Sequence, residues 1–114
     1  MKRRTSYLHY VVCPGQEGGV CPILVDEVVY FKGNDTHTTA FTGAGEHRMS
    51  TPLDELLPML DPDKFLQVQR SMVVNRAHIE TVRQHEEGGM VVKFKDRNEC
   101  ITVSNAYCRQ FPEQ

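Results

Sequence analysis

The stretch DKFLQVQRSMVVNRAHIE, residues 63–80, decides how the chain is read. Its middle, Ser71-Met72-Val73-Val74, reads as a buried strand, because β-branched and long apolar side chains suit a pleated, packed surface. Gln69-Arg70-Ser71 on the approach and Asn75-Arg76 at the exit do not belong in a core. An arginine is almost never buried without a partner, so Arg70 is expected at the surface where the strand begins. There its fork of donors suits guanine or a phosphate, with a surface salt bridge to Asp63 as the structural alternative. Asn75, at the strand's end, is expected to bond backbone rather than a ligand.

The same alternation of apolar and polar residues recurs on both sides in short bursts separated by turn residues, the pattern of an antiparallel β protein. Ser6–Val12 and Ile23–Lys32 read as strands, divided by the Gly- and Pro-rich 14–19 segment. Gly33-Asn34-Asp35 suits a tight reversal, after which Thr36, Thr38, Ala40 and Thr42 fall on one face and His37, Thr39 and Phe41 on the other. Gly43-Ala44-Gly45 turns the chain into a short strand, Glu46–Met49. One helix is expected near 51–60, with Thr51 capping it, Pro52 opening it, Pro58 ending it and Leu53, Leu56, Leu57 and Leu60 packing on a sheet. Ile79–His85, Met90–Lys95 and Glu99–Val103 form a meander through turns at 87–89 and 96–98, and a terminal helical turn is expected near 104–111. Lys93, Lys95 and Arg97 read as a solvated edge.

A chain of 114 residues is one domain by length, and its 39% hydrophobic content fits a folded globular protein. Its longest apolar runs, Val20–Val25 and Met72–Val74, fall far short of the roughly 20 residues that a spanning helix needs. The basic start, Met1 to Arg4, lacks the apolar run and cleavage site of a signal peptide, so a cytoplasmic location is expected. Cys13, Cys21, Cys100 and Cys108 form two pairs with seven intervening residues each, wider than common zinc spacings, and are read as reduced thiols, with a disulfide or metal pair as the alternative. The net charge of −2 hides an asymmetry: residues 20–63 carry only Lys32 and Arg48 as cations, whereas residues 64–114 hold most of the basic groups. A polyanion would meet the second half.

The sequence of elements, and above all FLQVQRSMVVN at 65–75, resembles the LytTR DNA-binding domain of bacterial response regulators, whose signature runs F-x-x-x-H-R-S-x-x-V-N. Asp26–Phe31 is similar to that family's D-x-I-x-Y-I strand, and Val103-Ser104 to its V-S-R-R end. The likeness covers roughly residues 22–111, leaving 1–21 as an N-terminal strand and loop and 112–114 as a tail. It implies a mostly β fold, an elongated arrangement of short antiparallel sheets with one short α-helix, whose loops along one edge enter successive DNA grooves. It further implies double-stranded DNA as partner, with promoter direct repeats bound by two protomers, and a pathway in which a sensor kinase or receiver domain supplies the signal. No cofactor or metal is implied. Two positions depart from the family: Gln69 replaces histidine, and Asn105 replaces arginine. Both can still pair with adenine in the major groove, so a changed site sequence is expected rather than lost binding.

The resemblance carries His37, Thr38, Gln69, Arg70, Asn105 and Arg109 as candidate DNA-binding residues, Arg109 for phosphate. An enzyme would have to use His9, His37, His47 or His85 with a cysteine, and no spacing supports this: HExxH, GxSxG and a phosphate loop are all missing from the sequence. A non-catalytic β domain that mediates protein–protein interaction is the remaining alternative.

Overall fold

Among the described residues ten short strands pair antiparallel in three sheets, and the middle sheet is covered on both faces. The computed structural model describes residues 6–110, with side chains through Cys108. Strands β1 (Tyr10–Pro14) and β2 (Val20–Leu24) form a hairpin of their own. Strands β3 (Val28–Gly33), β4 (Thr38–Thr42), β5 (Gly45–Met49), β6 (Phe65–Gln69) and β7 (Met72–Asn75) make a five-stranded sheet in the order β5-β4-β3-β7-β6. Strands β8 (Ile79–Gln84), β9 (Met90–Phe94) and β10 (Cys100–Val103) form the expected meander. The sheets lie within 47 × 38 × 24 Å, and no helix among the described residues is long and apolar enough to cross a membrane.

Two cores explain why β7 is apolar at consecutive positions. Val73 faces the first core, with Phe31, Ala40 and Phe65 from its own sheet, Val11 and Ile23 from the hairpin, and Leu53, Leu56 and Leu60 from the helical segment. Met72 and Val74 face the second, with Val92, Phe94, Ile101 and Val103 of the meander. A strand buried on both faces loses the polar–apolar alternation of a half-exposed one. A bulge between Val28 and Tyr30 turns the adjacent Val29 and Tyr30 toward the same second core.

Residues 63–80 differ from the expected single strand. Arg70 and Ser71 are the turn of a hairpin between β6 and β7, with Gln69 opposite Met72. Neither residue has a positive φ, so no glycine or asparagine announces the reversal. The register shift between Gln67 and Gln69 supplies the extra twist that a two-residue loop otherwise takes from left-handed residues.

The expected strand over 23–32 is likewise divided. A 3-10 turn at Val25–Glu27 lets the chain leave the β1–β2 hairpin and enter the central sheet. Strand β1 begins later than expected, and it runs on to Pro14 because that proline occupies a ladder position that needs no N–H. Helix α1 (Leu53–Leu56) is a single turn that passes into a 3-10 turn, Leu57–Met59, at Pro58. Thr51 does not cap it: the Leu53 N–H bonds Asn34 O at 3.2 Å, and the Thr51 carbonyl accepts from Thr38 Oγ1 at 2.7 Å. The terminal turn is a 3-10 helix, Asn105–Gln110; Phe111 lies outside the described residues.

Candidate nucleic-acid interface

Three turns converge at one end of the central sheet. Gly33, the last residue of β3, donates its N–H to Ser71 O at 2.9 Å, which ties the β3–β4 turn to the β6–β7 turn. Ser104 N–H bonds Val68 O at 2.9 Å, and Gln69 Nε2 donates to Thr102 O at 2.7 Å, which fix the exit of β10 beside the end of β6. Glycine is required at position 33, since a Cβ there would lie 2.6 Å from Thr38 Oγ1 and 2.9 Å from His37 O. Gly89, at φ 79°, sits in the left-handed region that favours glycine and a Cβ there would lie 3.1 Å from Val103 O, so the β8–β9 turn borders the same corner.

Within the β3–β4 turn, Asn34 Oδ1 accepts from the N–H groups of Thr36 and His37 at 2.9 and 3.1 Å and from Thr36 Oγ1 at 2.9 Å. This Asx arrangement presents a half-buried His37 ring whose Nδ1 lies 2.9 Å from Thr36 Oγ1. Thr38, by contrast, is 0% exposed and spends its hydroxyl on Thr51 O. Gln69 is half-buried and its amide is engaged by β10. Arg70 is exposed at the tip of its turn, and its guanidinium makes no hydrogen bond or ion pair among the described residues, Asp63 included. Asn105 is exposed at the start of the 3-10 helix that also contains Arg109, whose side chain lies outside the described ones.

Across the sheet these positions form a row: the β4–β3 turn with His37, then Arg70 between β7 and β6, then Asn105 beyond β6. The four strands from β4 to β6, at about 4.8 Å spacing, make such a row roughly 15 Å long. That length is comparable with a major groove about 12 Å wide and the adjoining minor groove of about 6 Å. A sequence profile described as the LytTr DNA-binding domain matches residues 18–114. The chain belongs to the LytTR DNA-binding domain family. A solved LytTr DNA-binding domain from Bacillus cereus superposes with a TM-score of 0.78 over 90% of this chain and 92% of its own, at 22% identity, and shares the fold. The CO-responsive transcriptional regulator RcoM of Rhodospirillum rubrum is 32% identical over 79 residues, 69% of this chain and 34% of its own length. An uncharacterized response regulatory protein of Vibrio cholerae is 36% identical over 74 residues, 61% of this chain and 28% of its own. The chain thus spans about a third of the length of these curated relatives.

This LytTR domain places one cation at the row that the sequence did not single out. Arg48 on β5 stands opposite Thr39 and therefore on the same sheet face as His37, two residues along. Its Nη2 lies 3.3 Å from His37 Nδ1 and 3.2 Å from Nε2. Near-equal distances to both ring nitrogens put the guanidinium nitrogen over the ring rather than in its plane, a stacking contact. The signal was present in the alternation of the 46–49 strand, but which residue faces His37 depends on the length of the 43–45 turn.

Arg97 corrects a reading in the opposite direction. It is no solvated edge residue: its side chain is 17% exposed, its Nε donates to Glu99 Oε2 at 2.6 Å, and its Nη1 donates to Thr42 O at 2.6 Å. The guanidinium lies 5.2 Å from the centre of the Phe41 ring, which stacks in turn on Tyr30. Tyr30 Oη donates to the same Glu99 oxygen at 2.8 Å, and burial followed by that bond pushes the phenol well above its usual range. Desolvation would raise the Glu99 carboxyl, but its bonds from Arg97, its own backbone N–H and Tyr30 outweigh this and hold it below its ordinary value.

Proposed function

We propose that this domain binds double-stranded DNA sequence-specifically to regulate transcription, and that residues 22–111 are the DNA-reading unit, with 1–21 an N-terminal strand and loop and 112–114 a tail; residues 1–5 and 111–114 lie outside the described residues. The observation that carries the reading is the row of turns, in which Arg70, unpaired among the described residues, stands between His37 and Asn105. In this reading Arg70 reads a base edge, Asn105 and His37 contact bases or phosphates in the flanking grooves, and Arg109 binds phosphate. Arg48 holds the His37 ring and adds charge. Gln69 and Thr38 serve from behind, the first by fixing β10 and the second by fixing the turn.

The domain acts in the cytoplasm, without catalysis or cofactor, and occupies direct repeats as two protomers. Its signal is supplied by a receiver domain or a sensor kinase pathway. Selection from a random pool of duplexes tests the whole reading at once, since it reports binding, sequence and repeat spacing. With four to six phosphate contacts per protomer, log affinity is expected to fall by about 4 to 5 per decade of salt. If no duplex is enriched, the reading fails and the rival, a non-catalytic β domain for protein contact, gains. That rival has one observation in its favour: Tyr10, Val12, Val20 and Leu24 are exposed on the outer face of the β1–β2 hairpin.

A further inference from the structure

Cys13 and Cys21 stand directly opposite each other in the β1–β2 ladder. The ends of that ladder are marked by Val25 N–H to His9 O at 2.9 Å and Gly15 N–H to Gly19 O at 2.8 Å. Hydrogen-bonded and non-bonded rungs alternate in an antiparallel pair, so the bonded rungs are His9–Val25, Val11–Ile23, Cys13–Cys21 and Gly15–Gly19. Pro14 and Pro22, which lack an N–H, both fall on the non-bonded rungs, in agreement with this assignment. Residues on one rung project from the same face, with Cα atoms about 5.5 Å apart on a bonded rung, inside the span of a disulfide.

The two thiols differ in the way a reactive and a resolving cysteine differ. Cys21 is exposed and lines an open cleft of about 470 Å³ whose wall also includes His47 and His78. Cys13 is buried, its Sγ 4.0 Å from His47 O, and burial followed by the neighbouring Cys21 charge pushes its thiol up. An oxidant arriving from solvent meets Cys21 first, while Cys13 keeps its proton and waits beneath it.

We infer that Cys13 and Cys21 form a reversible dithiol–disulfide couple whose oxidant is a hydroperoxide. The Cys21 thiolate attacks one peroxide oxygen, the O–O bond breaks, and Cys21 becomes a sulfenic acid while the departing hydroxide takes a proton to give water. Cys13 then gives up its thiol proton and attacks the Cys21 sulfur, the S–S bond forms, and the S–O bond breaks to release a second water. In sum two thiols lose two electrons and two protons, and one hydrogen peroxide becomes two waters. Cβ atoms on a bonded rung lie at the long end of the cross-strand range, beyond the roughly 4 Å that a relaxed disulfide prefers, so the ladder must shear slightly to close it. Such a strained bond is readily reduced, which suits a switch more than a permanent staple.

The reduced full chain, treated with a small excess of hydrogen peroxide, is expected to lose the mass of two hydrogens. A non-reducing peptide map should link the Cys13 and Cys21 peptides, and dithiothreitol should reverse the change. Cys21→Ser alters only an exposed position and should abolish the intramolecular loss, whereas a Cys100→Ser/Cys108→Ser variant should retain it. The couple is refuted if Cys21 oxidises to sulfinic acid with Cys13 still alkylatable after unfolding, if the link joins two copies of the chain, or if Cys100 or Cys108 supplies the partner sulfur.

Discussion

The two ends of the central sheet are built oppositely. At the end where β3 begins and β7 finishes, polar side chains are spent on bonds between elements: Asn75 donates to Val28 O at 2.9 Å and accepts from Ala77 N–H at 3.1 Å. There too His78 bridges Asp96 Oδ2 and Asp26 O, both at 2.8 Å, and Arg97 binds Glu99 and two carbonyls of the β4–β5 turn. At the other end Arg70 and Asn105 reach into solvent from turns whose backbones are tied together. Arg97 and Arg70 both sit in turns of antiparallel hairpins, so neither residue type nor secondary structure separates them. The bonds each makes among the described residues do. A guanidinium whose donors are filled by its own protein holds sheets together, and one left unfilled on a rigid turn is ready for a ligand.

If this contrast is right, damage at the closed end should cost stability and damage at the open end should cost binding. The largest effect is expected from Asn75→Ala, which leaves Val28 O and Ala77 N–H unsatisfied at a 2% exposed position. Urea unfolding should show a loss of about 3 kcal/mol, with the affinity of the remaining folded protein for its site unchanged. Arg97→Met keeps much of the packing on Phe41 but strands Glu99 and the Thr42 carbonyl, and should cost about 2 kcal/mol of stability. A variant that folds normally would show that the two sheets are held by their apolar core alone.

Arg70→Ala probes the open end. Its guanidinium makes no bond among the described residues, so the melting temperature should stay put while specific binding weakens by roughly 1 to 3 kcal/mol and one base position becomes permissive. Equal weakening on every duplex would reduce Arg70 to a phosphate contact. Gln69→Ala is expected to mix both effects at about 1 kcal/mol, since losing the bond to Thr102 O loosens the corner that presents Asn105.

Why the closed end was less legible than the open one follows from the kind of signal each leaves. Turn tips such as Asn34 and Gly89 are marked by local chemistry, polar residues beside an apolar run pointed to Arg70, and the family resemblance carried Asn105. Strands β9 and β10 and the strand faces of β4 were readable from alternation, since each keeps its period. The β6–β7 hairpin was not, because its reversal uses two residues of ordinary φ and a bulge. The partners of Arg97 lie 55 residues back, at Thr42, and two residues on, at Glu99. A lysine-rich run beside a turn looks the same whether its arginine ends in water or between two sheets. Arg48 failed to register for a related reason, as its meeting with His37 depends on ladder register.

The smallest effect should come from pH, and it discriminates the closed end by its sign. Arg97 and Tyr30 favour the charged form of Glu99, so its folded value is lowered relative to the unfolded chain. The unfolded state therefore binds the proton more readily, and stability tied to this group is present above the ordinary carboxylate range and lost as pH falls through the folded value. Because the Glu99 side chain is 34% exposed, solvent screens the pair and the contribution should stay below about 1 kcal/mol. Denaturant midpoints measured from neutral pH down to about pH 3 should show it as a difference between the parent and Glu99→Gln that narrows with acid. A gap that widens instead would mean that Glu99 burdens the fold, with the clasp resting on the carbonyls of Thr42 and Gly45 and the face of Phe41.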